Sequence, residues 1–336
     1  MLHRLWRRGT DFLGCRYALL GGAMTWVSER NLVAAISNAG GFGVIACGAM
    51  EPDRLAEEIE ATRALTDRPF GVNLILMHPR LDRLIDVCAD FGTSHVVLAG
   101  GLPSRATLAK LKDGGARTLC FAPNRGIAAR LVRAGADALI LEGSEAGGHI
   151  GAVSTLVLAQ EILPAVTDVP VFIAGGIGHG EAIAAFLRMG ASGCQLGTRF
   201  ACAEESIAHP AFKQAFLRAS ARDAVPSAQI DPAFKVIPVR ALANAATRRF
   251  AETQVEVIGR YRRGELDHEA ASLEIEHFWA GALRRAVIEG DVEGGSLMAG
   301  QSVGLVTAVE PCATIVQDLV AQASAACARA LPPAAR

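Results

Sequence analysis

With 336 residues, 51% hydrophobic side chains and only 5% aromatics, the chain has the aliphatic content for one large core, and closed α/β barrels routinely reach about 250 residues as a single unit. Its 33 basic and 34 acidic residues are spread along the chain and leave a net charge of −1, which excludes nucleic acid and anionic membrane surfaces as expected partners. The basic start Met1–Arg8 is interrupted by Asp11, Cys15 and Arg16 before a signal-peptide-length apolar run develops. The uncharged stretches 31–50 and 294–309 are too rich in glycine and polar residues to span a bilayer, and eight cysteines lack C-x-x-C spacing, so a soluble, cytoplasmic protein with reduced thiols is expected.

Short aliphatic runs alternate with amphipathic stretches at about 25 to 35 residues, the spacing of βα units with parallel strands. The runs predict strands at Tyr17–Leu20, Gly43–Ala46, Gly71–Ile75, His95–Leu98, Thr118–Phe121, Ala138–Leu141, Val171–Ala174 and Gly193–Leu196. Between them helices are expected at Glu29–Asn38 with Ser28 as cap, Pro52–Leu65, Leu81–Phe91, Ser104–Asp113, Arg125–Ala134, Thr155–Val166 and Gly180–Met189. From Arg218 to Leu266 charge and prolines increase and no strand is evident, so a helical lid or substrate region is expected there. A further helical part covers His277–Ile288, the glycine loop Gly290–Gln301 follows, and an alanine-rich tail reads as a closing helix.

Eight βα units form either an open doubly wound sheet or a closed barrel, and the glycine signals decide between them. Gly175-Gly176 and Gly197-Thr198 directly follow the last two strands, where barrels bind phosphate through backbone amides and helix N-termini. The expected architecture is therefore a TIM (β/α)8 barrel, core 1–218, with a small helical lid at 219–290 and a closing loop and helix at 291–336. The bland reading of each glycine pair is a simple turn; two pairs on adjacent strands favour phosphate.

Glu142-Gly143-Ser144-Glu145-Ala146-Gly147-Gly148-His149 follows the sixth strand and puts an imidazole on a loop that glycines let approach a flat ligand. His149 is the candidate for proton transfer, against the alternative of a neutral histidine that only pins the loop. Glu142 and Glu145 could pair as acid and base, although a solvated carboxylate is the simpler expectation for Glu145. Asn73 places an amide in an aliphatic strand, where it needs a partner: a cofactor ring, the neighbouring strand or a buried water. Gly21-Gly22-Ala23-Met24 reads as a bend along a planar ligand. No His/Cys/Asp cluster at metal spacing, Walker loop, nucleophile elbow or G-x-G-x-x-G after a first strand is present, so no metal site is expected.

Taken in order, Gly22-Ala23-Met24-Thr25-Trp26-Val27, Ala39-Gly40-Gly41-Phe42-Gly43, Pro69-Phe70-Gly71-Val72-Asn73, Glu145-Ala146-Gly147-Gly148-His149, Ala174-Gly175-Gly176-Ile177 and Gly197-Thr198-Arg199-Phe200 resemble the nitronate monooxygenase (2-nitropropane dioxygenase) superfamily over roughly residues 17 to 320. That group includes FabK-like type II enoyl-acyl-carrier-protein reductases, which the loop Gly290–Gln301 resembles especially well. The first-strand loop departs from the usual Gln-Gly-Gly-Met pattern of both groups. The resemblance implies FMN, with its phosphate on Gly176, Gly197 and Thr198. It implies a ring contacted by Met24, Asn73, Gly148 and the Met298–Gln301 loop, with His149 as the proton-transfer residue; Gly22, Ala23, Glu142, Gly147, Gly175 and Gln195, with Gly300 and Gln301 of that loop, complete the expected cofactor-binding residues.

The resulting expectation is an FMN-dependent oxidoreductase that oxidises alkyl nitronates or nitroalkanes with O2. The alternatives are an enoyl-acyl-carrier-protein reductase or a flavin or quinone oxidoreductase driven by NADH or NADPH, with acyl carrier protein a partner of the former, and a non-catalytic FMN-binding protein. A small-molecule substrate and homodimerisation through exposed helices complete the expected partners.

Overall fold

The computed structural model describes residues 1–48, 50–234, 238–279 and 281–329. Among them run β1 (Leu19–Gly21), β2 (Val44–Ala46), β3 (Gly71–Ile75), β4 (His95–Ala99), β5 (Arg117–Phe121), β6 (Ala138–Glu142), β7 (Gly148–His149), β8 (Val171–Ala174), β9 (Gly193–Leu196), β10 (Ala224–Pro226) and β11 (Val239–Leu242). Eight of them form one parallel sheet in the order β1-β9-β8-β6-β5-β4-β3-β2. A parallel bridge between Leu20 and Phe42 closes it, with Gly21 N donating to Phe42 O at 2.9 Å and Phe42 N to Leu19 O at 2.8 Å. The architecture is the TIM barrel expected from the alternation, and each barrel strand lies within two residues of its predicted start.

Strands buried on both faces are largely apolar: Ala138, Leu139, Ile140 and Leu141 of β6 are fully buried, as are Phe172 and Ile173 of β8. The amino-terminal helix Arg7–Leu13 covers the lower end of the barrel. Its Phe12 ring meets His95 edge-on at 5.1 Å, and Phe12 O is bonded to His95 Nε2 at 2.8 Å and accepts from Arg117 at 2.7 Å. Burial drives the pKa of His95 down to about 4, so this histidine is a neutral structural group. The tail forms the helix Cys312–Arg329, which packs on the helix Gly180–Arg188; Gln322 Oε1 accepts from Gly180 N at 2.8 Å, where a Cβ on residue 180 would come within 2.2 Å of Leu319 O.

Several local expectations are corrected. Ser28 does not cap the helix Arg30–Asn38; Glu29 does, accepting from Asn31 N and Leu32 N, because its longer carboxylate reaches the first turn. Ser28 Oγ instead donates to Gly22 O at 2.8 Å and accepts from Met24 N at 3.0 Å, fixing the loop after β1. The expected helix His277–Ile288 is split, with the helix His268–His277 ending before a short turn Ala282–Arg284 and a wide helical turn Arg285–Glu289.

The largest correction concerns the inserted region. Two strands, β10 and β11, pair antiparallel there, and β11 in turn pairs with β7 from the loop after β6. These strands are no shorter than barrel strands such as β1 and β8, but Pro226 in β10 and Arg240 in β11 break any continuous aliphatic run, so the pattern did not reveal them. Beyond them the helices Ala245–Arg262 and His268–His277 enclose a small separate core of Phe234, Phe250, Val257, Ile258, Ala271 and Ile275.

Candidate active site

The carboxyl ends of the strands position the chemistry. β6 ends on Glu142, half-buried, whose carboxyl group has no hydrogen-bond or ion-pair partner among the described residues. Burial alone raises its pKa from 4.5 to about 8, so Glu142 is a neutral acid near pH 7. Seven residues on, His149 sits in β7, in register with Val239 of β11. Its side chain is open to solvent, yet the protein packed round it holds its pKa below 6.5. Accessible but crowded is the condition of a group on a cleft wall, and it leaves a neutral imidazole able to accept a proton. A neutral donor and a neutral acceptor thus flank the same loop.

That loop is braced from three sides. Glu145 is not a solvated carboxylate: its Oε2 accepts from Thr155 N at 2.8 Å and Thr155 Oγ1 at 3.0 Å, holding the start of the helix Thr155–Ile162. Arg240 of β11, only 8% exposed, donates to Ser144 O at 3.0 Å and to Ala224 O, tying the small sheet to the loop. Sequence reasoning missed Arg240, because without β11 nothing distinguishes it from a surface arginine. The third brace is the loop Met298–Gln301, whose place was read from resemblance alone. Gln301 N donates to Glu145 O at 2.9 Å, Gly300 N donates to Thr198 Oγ1 at 3.0 Å, and Met298 Sδ lies 3.6 Å from where a Gly148 Cβ would stand.

The expected cofactor residues fall into connected groups. Gly22 N donates to Leu196 O at 2.8 Å, and a Cβ at Gly22 would lie 3.5 to 3.7 Å from Leu196 O, Gly197 and the Gln195 side chain. Met24 Sδ is 3.4 Å from the corresponding position of Gly197, and Ala23 is half-buried beside it, so Gly22, Ala23, Met24, Gln195 and Gly197 form one side. Thr198, Gly300, Gln301, Gly147 and Gly148 form the other. Gly175 and Gly176 both have left-handed backbone (φ 93° and 72°) and back onto Ala146 and Glu145. A cavity of about 620 Å³ opens beside them, lined by Gly175, Gly176, Gln301 and Ser302 among others, a volume of ligand size. Asn73 stands apart: 5% exposed, it donates from Nδ2 to Val97 O of β4 at 3.1 Å, the neighbouring-strand alternative.

These residues suit a flat, phosphate-bearing ligand. At Gly22, Gly148 and Gly197 the backbone is bare, and a Cβ there would stand 3.4 to 3.6 Å from its nearest protein neighbour. No group of three or more His, Cys, Asp or Glu at metal spacing exists among the described residues, and no described helix is long and apolar enough to cross a membrane.

A barrel whose mouth pairs glycine loops with a neutral acid and a neutral imidazole is the frame of an oxidoreductase that leaves electron transfer to a bound cofactor. The sequence profile described as nitronate monooxygenase matches residues 7–84 and 79–322, and the chain belongs to that family, whose members are in general flavin-dependent. The structure of FabK from Thermotoga maritima superimposes with a TM-score of 0.86 at 38% identity, covering 96% of this chain and 97% of that one. A Mycobacterium tuberculosis protein named as a hydroxy-methyl-oxo-octahydro-indene-carboxyl-CoA dehydrogenase is 31% identical over 94% of this chain and 95% of its own length. A nitronate monooxygenase of Paraburkholderia phytofirmans is 32% identical over 91% and 92%.

Proposed function

We propose that the chain is an FMN-dependent oxidoreductase that oxidises alkyl nitronates and nitroalkanes, with His149 as the base. The observation that carries this reading is the state of His149: solvent-accessible, confined, and held neutral by its surroundings. A ring nitrogen of the neutral imidazole takes the α-proton of a bound nitroalkane, and a nitronate, already deprotonated, needs no such step. When bound, FMN would supply the redox chemistry that carries the substrate's electrons to O2. Gly175, Gly176, Gly197 and Thr198 would hold its phosphate, and Gly22, Met24, Gly148 and the Met298–Gln301 loop its ring. Glu142, keeping its proton near neutral pH, would donate a hydrogen bond into the mouth instead of repelling an anionic substrate.

A second reading is favoured by the brace of Met298–Gln301 on Thr198 and Glu145, the loop that most resembles the FabK group. There NADH or NADPH supplies the electrons, and an enoyl thioester on CoA or acyl carrier protein is reduced. The CoA thioester named for the mycobacterial relative supports the same class of substrate.

The deciding experiment mixes FMN-reconstituted protein anaerobically with propyl-2-nitronate, NADH or NADPH and follows flavin absorbance. Bleaching by nitronate supports the first reading, and bleaching by a pyridine nucleotide with turnover of crotonyl thioesters supports the second. His149→Asn is expected to lower turnover of the neutral nitroalkane about 10²- to 10⁴-fold while sparing the nitronate. Failure to bind FMN at all would overturn both.

A further inference from the structure

A cavity of about 250 Å³ lies between the three-stranded sheet and the inserted helices, walled by the apolar Val225, Val239, Ala241, Phe250 and Trp279 and also lined by the polar Thr247 and Arg248. The strand register relates it to the candidate active site. Val225 is opposite Ala241, and Val239 is opposite His149. Directly opposed residues, and residues two apart on a strand, project from the same face, so Val225, Val239, Ala241 and His149 share one face of this sheet. Arg240 occupies the alternate position and turns the other way, to Ser144 O. The imidazole and the apolar wall therefore belong to one surface, and side chains of opposed residues such as Val239 and His149 stand about 5 Å apart at Cβ.

Two further features bear on the occupant. The Trp279 indole Nε1 is buried without an acceptor among the described residues, a costly state that a ligand oxygen would relieve. The volume is below the 300 to 1,000 Å³ typical of a whole ligand site, so it suits a substituent and not a cofactor.

We infer that this cavity is a specificity pocket for the apolar body of the substrate, a compact ring or branched group bearing at most one acceptor oxygen, with the reacting carbon left at His149. The inference rests on His149 as the reacting-site base, and it holds for a nitronate or a thioester alike. Each methylene buried there improves binding about fourfold, from the transfer free energy of a CH₂ group.

The test separates occupancy from chemistry. First, 1-indanone, an apolar bicycle with one carbonyl, is titrated into the wild-type protein while tryptophan fluorescence is followed. Quenching that disappears in Trp279→Phe and weakens at least tenfold in the cavity-filling variants Ala241→Phe and Val225→Phe is the expected result. Second, the ratio of kcat/KM for cyclohexyl nitronate to that for propyl-2-nitronate is measured in each protein; it should exceed ten in the wild type and fall toward one in the filled variants. Indanone binding with no nitronate turnover would keep the pocket and sink the nitronate reading. Nitronate turnover with no indanone binding and a wild-type ratio near one would keep that reading and overturn the pocket. Should both filled variants fail to fold, the wild-type titration and the Trp279→Phe control still decide.

Discussion

Gly147→Ala probes whether the loop Met298–Gln301 is seated on the mouth. A Cβ at residue 147 would lie 2.6 Å from Ala299 C and from Gly300 N, about 0.8 Å inside the 3.4 Å of ordinary contact, and both obstacles are backbone. Gly147 is not among the positive-φ glycines, so alanine costs nothing in backbone conformation there and any penalty comes from the collision. Relieving it requires the two loops to part, straining the bonds from Gln301 N to Glu145 O (2.9 Å) and from Gly300 N to Thr198 Oγ1 (3.0 Å). Overpacking costs about 1 to 3 kcal/mol and each of the two weakened bonds about 0.5 to 1.5, so a net loss of about 2 to 6 kcal/mol is expected. Urea unfolding measures it, and an FMN titration measures the accompanying loss of affinity. Gly92→Ala is the control: its φ is 55° with nothing within 4 Å, so it should show only the left-handed backbone penalty of about 1 to 2 kcal/mol and normal FMN binding. A Gly147→Ala protein within 0.5 kcal/mol of wild type, binding FMN normally, would refute the seating of this loop.

Three further outcomes are expected. Glu142 keeps its proton up to about pH 8 in the native state but loses it near 4.5 when unfolded, so its contribution to stability is fully present below pH 4.5 and is lost as the pH rises to 8. In flavin-free protein, Glu142→Gln should therefore gain on wild type steadily from pH 5 to pH 8, and parallel urea midpoints across that range would contradict the raised pKa. Arg240→Met removes two bonds from a buried guanidinium and should cost about 2 to 4 kcal/mol, with faster hydrogen exchange at Ile150 N, which donates to Pro238 O at 3.0 Å. Unchanged exchange there would show that Arg240 does not hold β7 in place. Seven of the eight free cysteines are buried, and burial pushes Cys15, Cys47, Cys88, Cys120 and Cys202 up to about 11 or 12. A disulfide reagent at pH 8 should thus modify at most Cys15 quickly in the native protein and all eight in denaturant; rapid reaction of several native thiols would contradict this burial.

The barrel was legible because its strands are buried on both faces. Runs such as Ala138–Leu141 and Val171–Ala174 must be continuously apolar, and the helices between them carry local caps, so one-dimensional pattern and three-dimensional role coincide. The same holds for Gly175 and Gly176, whose left-handed backbone requires glycine wherever the chain turns into its helix. His149 could be named for its residue type, but its neutral state and its place opposite Val239 could not, since both depend on what packs against it.

Composition, aliphatic periodicity and glycine spacing by themselves determined the parallel strands, their order in the chain and the loops at the mouth, because those features arise from interactions between near neighbours. Tertiary structure decided the rest. The small sheet joining β7 to β10 and β11 unites segments about ninety residues apart, as in the Arg240 bond to Ser144, 96 positions away. Glu142 became a neutral acid only because the closed barrel surrounds it. Desolvation and long-range hydrogen bonding depend on the whole packed chain, and no local window of sequence contains them.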